Sequence, residues 1–235
     1  PNTVLNAIVA EAFCEAADVL EKAEDFEMAV HDMIKQYMTD HCRIIFNGNG
    51  YSDEWVQEAE RRGLPNIRSM VESAGALTTD KAVKLFEKFH IFTKAELESR
   101  EEVQYETYAK SINIEALTMI DMASRQIIPA VVGYTQKLAK TVLDVKAAGV
   151  EPSVQTELLA QVNEKLTEMK GALADLQKIE AEASAMEDGK AQAFFYKDAV
   201  MPAMAALRKP ADELEMLVDR EDWPFPTYGD LMFEV

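Results

Sequence analysis

The sequence predicts an all-α protein: a compact helical base, a long antiparallel three-helix bundle of coiled-coil-like packing, and an aromatic, proline-rich C-terminal tail docked on the base. Three observations carry this. Glycines and prolines are few, nine and eight among 235 residues, and between them run stretches rich in Ala, Leu, Glu, Lys and Met, the good helix formers. Apolar residues recur at alternating spacings of three and four along three successive segments, the signature of helices that bury a common seam. The chain closes with Trp223-Pro-Phe-Pro-Thr-Tyr-Gly-Asp-Leu-Met-Phe-Glu-Val235. Its four aromatics would expose a large apolar surface, while Pro224 and Pro226 forbid helix continuation, so the tail has to dock.

Taken in order, a first helical segment runs from Thr3 toward Cys42 with a break near Glu24 to Phe26. Arg43 to Tyr51 interrupts it: two Asn-Gly pairs permit positive φ, so Asn47 to Gly50 reads as a tight turn, and Ile44-Ile45-Phe46 as a short strand or buried loop. Ser52 is placed to cap a short helix carrying Trp55 and ending at Gly63, and Thr78-Thr79-Asp80 starts another. Thr93 opens a third with Glu96 as its capping-box partner, and this one continues to about Val145, roughly 80 Å if straight. Pro129 clashes with the carbonyl of Arg125 and removes a ladder hydrogen bond, so a kink is expected one turn back. The stripe Ile127, Val131, Tyr134, Leu138, Val142, Val145 faces two others. These are Leu159, Val162, Leu166, Met169, Leu173, Leu176 and, after a turn near Asp188-Gly189, Val200, Met204, Leu207, Ala211, Leu214, Val218, with local distortions at Pro202 and Pro210. Glu180 to Lys190 is polar and acidic, which predicts a mobile tip. The domain reading is residues 1–92 as base, 93–220 as bundle and 221–235 as tail.

A net charge of −18, from 24 basic and 42 acidic residues, opposes binding to nucleic-acid phosphates or an anionic bilayer, and no run approaches the roughly 20 apolar residues of a membrane span. Nucleic acid and membrane are therefore excluded as partners. Cys14 and Cys42 show no pairing pattern, which reads as reduced thiols in a cytoplasm.

No catalytic, cofactor-binding or metal-ligating residue can be assigned. Glu87-Lys-Phe-His90 has the Glu-x-x-His spacing of di-iron bundles, but those need a second copy and two further glutamates, so His90 reads as a helix-end histidine. In Asp40-His41-Cys42 adjacent helical side chains point apart, so histidine activation of the thiol is not expected. Gly48-Asn49-Gly50 lacks the lysine or third glycine of a phosphate loop and reads as a turn that positions Tyr51 and Trp55. The acidic runs Glu11 to Glu27 and Glu180 to Asp188 read as solvated faces, and Arg61, Arg62 and Arg100 as ion-pair partners. Met119, Met122, Met201 and Met204 could form an adaptable surface, yet their helical spacing reads as core.

Three strings together, the closing tail, Arg43-Ile-Ile-Phe-Asn-Gly-Asn-Gly-Tyr-Ser-Asp-Glu-Trp55 and Ser111-Ile-Asn-Ile-Glu-Ala-Leu-Thr-Met-Ile-Asp-Met-Ala123, resemble the C-terminal part of type III glutamine synthetases. The resemblance covers essentially the whole chain. It implies that Pro1 to Phe13 starts a late catalytic-domain helix, and that the metal-binding carboxylates, ATP site and arginines of the family precede Pro1, so the isolated chain should be inactive. An opening on Pro1, with no initiator methionine or signal sequence, fits a fragment. ATP and Mg or Mn are implied for the full enzyme, none for this portion. The implied partners are its own catalytic domain and neighbouring subunits of a ring-shaped homo-oligomer. The alternative reading is a free-standing acidic interaction module, and a third, an unrecognised helical enzyme, lacks any assembled nucleophile, base and orienter.

Overall fold

The computed structural model describes residues 1–226 and 228–233; Thr227, Glu234, Val235 and the side chain of Tyr228, part of the tail reading, lie outside the described residues. Every regular element among the described residues is helical. The chain divides into two compact units, Pro1–Glu101 and Glu102–Val235. The boundary between the units falls inside a helix whose first turns bury Leu97 in the core of the first unit.

In the first unit, α1 (Asn2–Leu20) and α2 (Phe26–His41) are separated where expected, with the Asp25 carboxylate accepting from Met28 N at 3.0 Å to cap α2. A 3₁₀ turn over Cys42–Ile44 leads into the loop before α3 (Asp53–Arg61), which Ser52 caps by accepting from Trp55 N. α4 (Met70–Ala74) and α5 (Asp80–Lys88) follow, capped by Ser69 and Thr79. The core is small: Ala7, Phe86 and Leu97, with Val83, Ile91 and Phe92 packed around them. Three Schellman-type ends, at Gly63, His90 and Gly149, place one residue each at positive φ, with His90 the non-glycine case at 53°.

The second unit is built on long helices. α6 (Lys94–Met122), which begins with the Thr93–Glu96 capping box, passes through a π-helical segment over Ala123–Ile127 into α7 (Ile128–Ala147). α8 (Ser153–Ser184) returns and packs against both α7 and the last long element, which runs through α9 (Gly189–Phe195), a second π segment over Tyr196–Val200 and α10 (Met201–Glu215). α11 (Tyr228–Phe233) lies in the tail. Both π segments end two residues before a proline, Pro129 and Pro202. The extra residue in the turn absorbs the donor that proline lacks, which is the physical form of the anticipated distortion. Pro210 sits inside α10 with no such segment.

The apolar stripes face inward: Val131, Val162, Met169, Leu176, Val200, Leu207 and Leu214 are fully buried.

Three local expectations are corrected. Ile44 and Ile45 are exposed and form neither strand nor buried loop, because the 3₁₀ turn has no sheet partner among the described residues. Gly48 and Gly50 are not among the positive-φ glycines; a Cβ at Gly48 would stand 2.6 Å from the Phe46 ring, which would have to shift from its stack on Trp55. The region from Glu180 is not a loose tip. Helix α8 continues to Ser184, and Glu180 is 9% exposed and hydrogen-bonded, since it continues the buried stripe of Leu173 and Leu176 one turn further.

Candidate functional site

The most constructed part of the first unit is the loop between α2 and α3. Phe46 stacks on Trp55, ring centroids 4.0 Å apart and 21° between planes. Arg62 closes this stack from α3: its guanidinium stands 5.5 Å from the Trp55 centroid and donates to the carbonyls of Ile45 (2.9 Å) and Arg43 (3.3 Å). Glu58 holds both arginines, taking Arg62 Nε at 2.6 Å and a two-pronged contact from Arg61 at 2.6 Å. The hydrogen bonds from Arg61 and then Arg62 hold its carboxyl down at about 2. Arg61 and Arg62 are thus structural partners of one carboxylate, as their sequence context suggests. The clamp presents a tip on which Asn49 Oδ1 accepts from Tyr51 N at 3.0 Å, and the Tyr51 side chain is 100% exposed.

Beside this loop stand two helices whose apolar surface is uncovered within the first unit. α1 turns Ala7 into the core, yet Leu5, Ile8, Val9 and Phe13 form an opposite, exposed stripe, with Phe13 at 71%. A helix apolar on both faces is the pattern of one buried on both sides. α2 buries no residue and exposes Phe26, Met28, Ile34 and Met38. These exposed apolar side chains and Tyr51 are of the kind that serves protein contact rather than chemistry.

The remaining sequence candidates are scattered. His90 terminates α5, while Glu87 accepts from Lys94 N at 3.3 Å. Among the described residues no group of three or more His, Cys, Asp or Glu side chains is arranged to hold a metal ion. Asp40 accepts from Gln36 at 2.6 Å, the His41 ring lies 6.2 Å from Tyr37, and Cys42 is exposed. Arg100 lies 4.3 Å over the Phe92 ring. Met201 accepts from Tyr108 OH at 3.1 Å, Met204 is half-buried, and Met119 and Met122 border a cavity in the second unit with Met169.

Two features escaped the sequence reading. Asn113 Nδ2 lies within hydrogen-bond distance of Glu180 Oε1 (2.9 Å), Ser184 Oγ (3.1 Å) and Tyr196 OH (2.7 Å), joining three long helical elements by one polar node. The signal was readable: Glu180 falls on the apolar three-four stripe of α8. Lys165 of α8 also reaches Glu213 of α10 at 2.8 Å, a contact that raises the pKa of the Lys165 ammonium and lowers that of the Glu213 carboxyl from their ordinary values. The second feature is the seat of the tail. Trp223, Phe225, Pro226 and Leu231 border a cavity with helices of the second unit, and Asp222 pairs with Lys137 of α7 at 2.5 Å. The five residue steps from Val218 to Trp223 span at most about 18 Å, so Trp223 stays near the end of its own helix.

Comparison with known proteins gives these surfaces their context. Residues 29–146 match the model of the glutamine synthetase C-terminal domain. The chain belongs to that family. It is 35% identical over 214 residues to a glutamine synthetase of Butyrivibrio fibrisolvens, covering 90% of this chain and 31% of that protein. It is 32% identical over 242 residues to a type-3 glutamine synthetase of Dictyostelium discoideum (99% and 33%), and 30% identical over 221 residues to a glutamine synthetase of Bacteroides fragilis (92% and 30%). The chain therefore spans about a third of the length of the curated relatives it matches. Helix α1 lies outside the matched glutamine synthetase C-terminal domain, while most of α2, the Tyr51 loop and all but the last residue of the α6–α7 rod fall within it.

Proposed function

We propose that this chain is the non-catalytic helical C-terminal portion of a type III glutamine synthetase, an enzyme that ligates ammonia to glutamate at the expense of ATP, and that it serves architecture and subunit assembly. The observation that carries the reading is the two-faced apolarity of α1 combined with its place outside the matched domain. α1 is then the last helix of the catalytic domain, and its exposed stripe rests on chain that precedes it. The α2 face and Tyr51 contact neighbouring subunits of a ring-shaped homo-oligomer. ATP and the divalent metals are held by the preceding domain, and this portion contributes no ligand to them. Family membership favours this over a free-standing interaction module. No helix among the described residues is long and apolar enough to cross a membrane, and the free Cys14 and Cys42 suit the reducing cytoplasm in which we place the enzyme.

The test shortens the α6–α7 rod, α8 and α10 by matched heptads in the full-length enzyme, so that no helix loses its partner. Altered ring state with unchanged KM for glutamate is expected. Unchanged assembly with a strongly altered KM would replace the assembly role by a direct one at the active site.

A further inference from the structure

The second unit contains a cavity of about 280 Å³ beneath the tail, bordered by Met119 and Met122 of α6, Ile127 of the π segment, Met169 of α8, Leu207 of α10 and Trp223. We propose that this cavity is a binding site for a small, uncharged aromatic molecule of about one fused bicyclic ring, and that its occupancy fixes the tail on the bundle. The inference does not depend on the enzyme assignment.

Size comes first. Protein interiors hold few voids larger than a water molecule, and an apolar cavity of about 150 Å³ accepts one benzene ring. A space of about 280 Å³ therefore suits a fused pair of rings. The cavity is partly open to solvent on the side of the tail and floored by buried core. Met169 and Leu207 on its wall are otherwise fully buried, and the surrounding stripes are closed. The space lies where α6 gives way to the π segment, with Met122, Ala123 and Ile127 on its border, and such segments recur at functional sites.

Lining chemistry then selects the ligand. Three methionines and Trp223 share the lining, and both thioether sulfur and indole make favourable contacts with aromatic rings. The charged side chains on the border, Arg208, Asp212 and Glu215, all come from α10, where Arg208 pairs with Asp212 at 3.2 Å. A ring carrying no charge, with any single polar substituent turned toward that border, fits without stranding a buried ion.

Binding is coupled to the tail because Trp223 belongs to the wall. Its backbone N–H is tied to Asp219 O at 3.0 Å, and Lys137 holds Asp222 from α7. A ligand that contacts Trp223 only in the docked arrangement stabilises that arrangement by its own binding free energy.

Indole is the probe, titrated into the full chain carrying ¹³C-methyl methionine and followed by methyl NMR. Saturable shifts at Met119, Met122 and Met169, with Met28 of α2 unmoved, are expected. Two cavity-filling variants, Met122→Trp and Ala211→Phe, approach from different walls, so that one serves if the other fails to fold. Either should abolish the shifts while leaving the Met28 resonance in place. The proposal is overturned if no saturable shift appears up to the solubility of indole, if the shifts persist in a folded filled variant, or if Met28 moves as much as the cavity methionines.

Discussion

The two units solve opposite problems. In the second, three long helical elements each turn an apolar stripe inward, so that Val131, Met169 and Leu207 are fully buried, although single apolar side chains such as Ile114, Leu143 and Val154 stay exposed on the outer faces. In the first, a core centred on Ala7, Phe86 and Leu97 leaves α1 and α2 with more apolar surface than the unit can cover. Two largely helical units thus differ in completeness: the bundle covers its stripes with its own helices, whereas the base leaves the outer faces of α1 and α2 uncovered within this chain.

That contrast is broken most directly by substitution. Leu207→Ala should destabilise the second unit by about 2–5 kcal/mol, the cost of a core cavity, seen as a fall in the midpoint of chemical denaturation. Phe13→Ser on α1 should change the stability of the isolated chain by no more than about 0.5 kcal/mol, and improve its solubility. Comparable losses at the two positions would abolish the distinction.

The polar node sharpens it. Asn113→Ala leaves the buried Glu180 carboxylate short of a donor and should cost about 1–3 kcal/mol, whereas replacing both residues by leucine should recover most of that loss. A double variant as unstable as the single would mean that the node does more than satisfy itself.

A smaller effect belongs to the clamp of the first unit. Glu58 is held down at about 2 from an ordinary value of 4.5, chiefly by the hydrogen bond from Arg61 and then by Arg62. Because its folded pKa is depressed, the contribution is fully present above about 4.5 and is lost as pH falls from there through about 2. Trp55 fluorescence should therefore report loosening of the Phe46–Trp55–Arg62 stack over that window, and Glu58→Gln should remove the transition while leaving the bundle intact. The smallest change is expected at His90, whose φ of 53° glycine adopts without strain: His90→Gly should raise stability by up to about 1 kcal/mol.

Much of this architecture was legible. Caps at Ser52, Thr79 and the Thr93–Glu96 box, and the distortion ahead of Pro129, follow from local donors and acceptors that sequence states outright. Reading the polar stretch from Glu180 as mobile failed because composition was weighed over periodicity, although Glu180 stands on the stripe of Leu173 and Leu176. The seat of Trp223 was illegible for another reason: an aromatic tail announces that it docks, not on which surface, and that choice is made by the short tether from Val218 and the Lys137–Asp222 pair. The uncovered face of α1 was invisible because an apolar helix reads alike whether its own chain or another segment covers it.

Hydrogen exchange of α1 and α2, measured in the isolated 235-residue chain and again within the full-length enzyme, tests the central claim most directly. The account predicts amides of α1 and α2 slowed by about tenfold or more in the full-length enzyme, with α8 and α10 little changed. Equal protection of α1 and α2 in the two settings would contradict it, because the base would then be complete without anything beyond this chain.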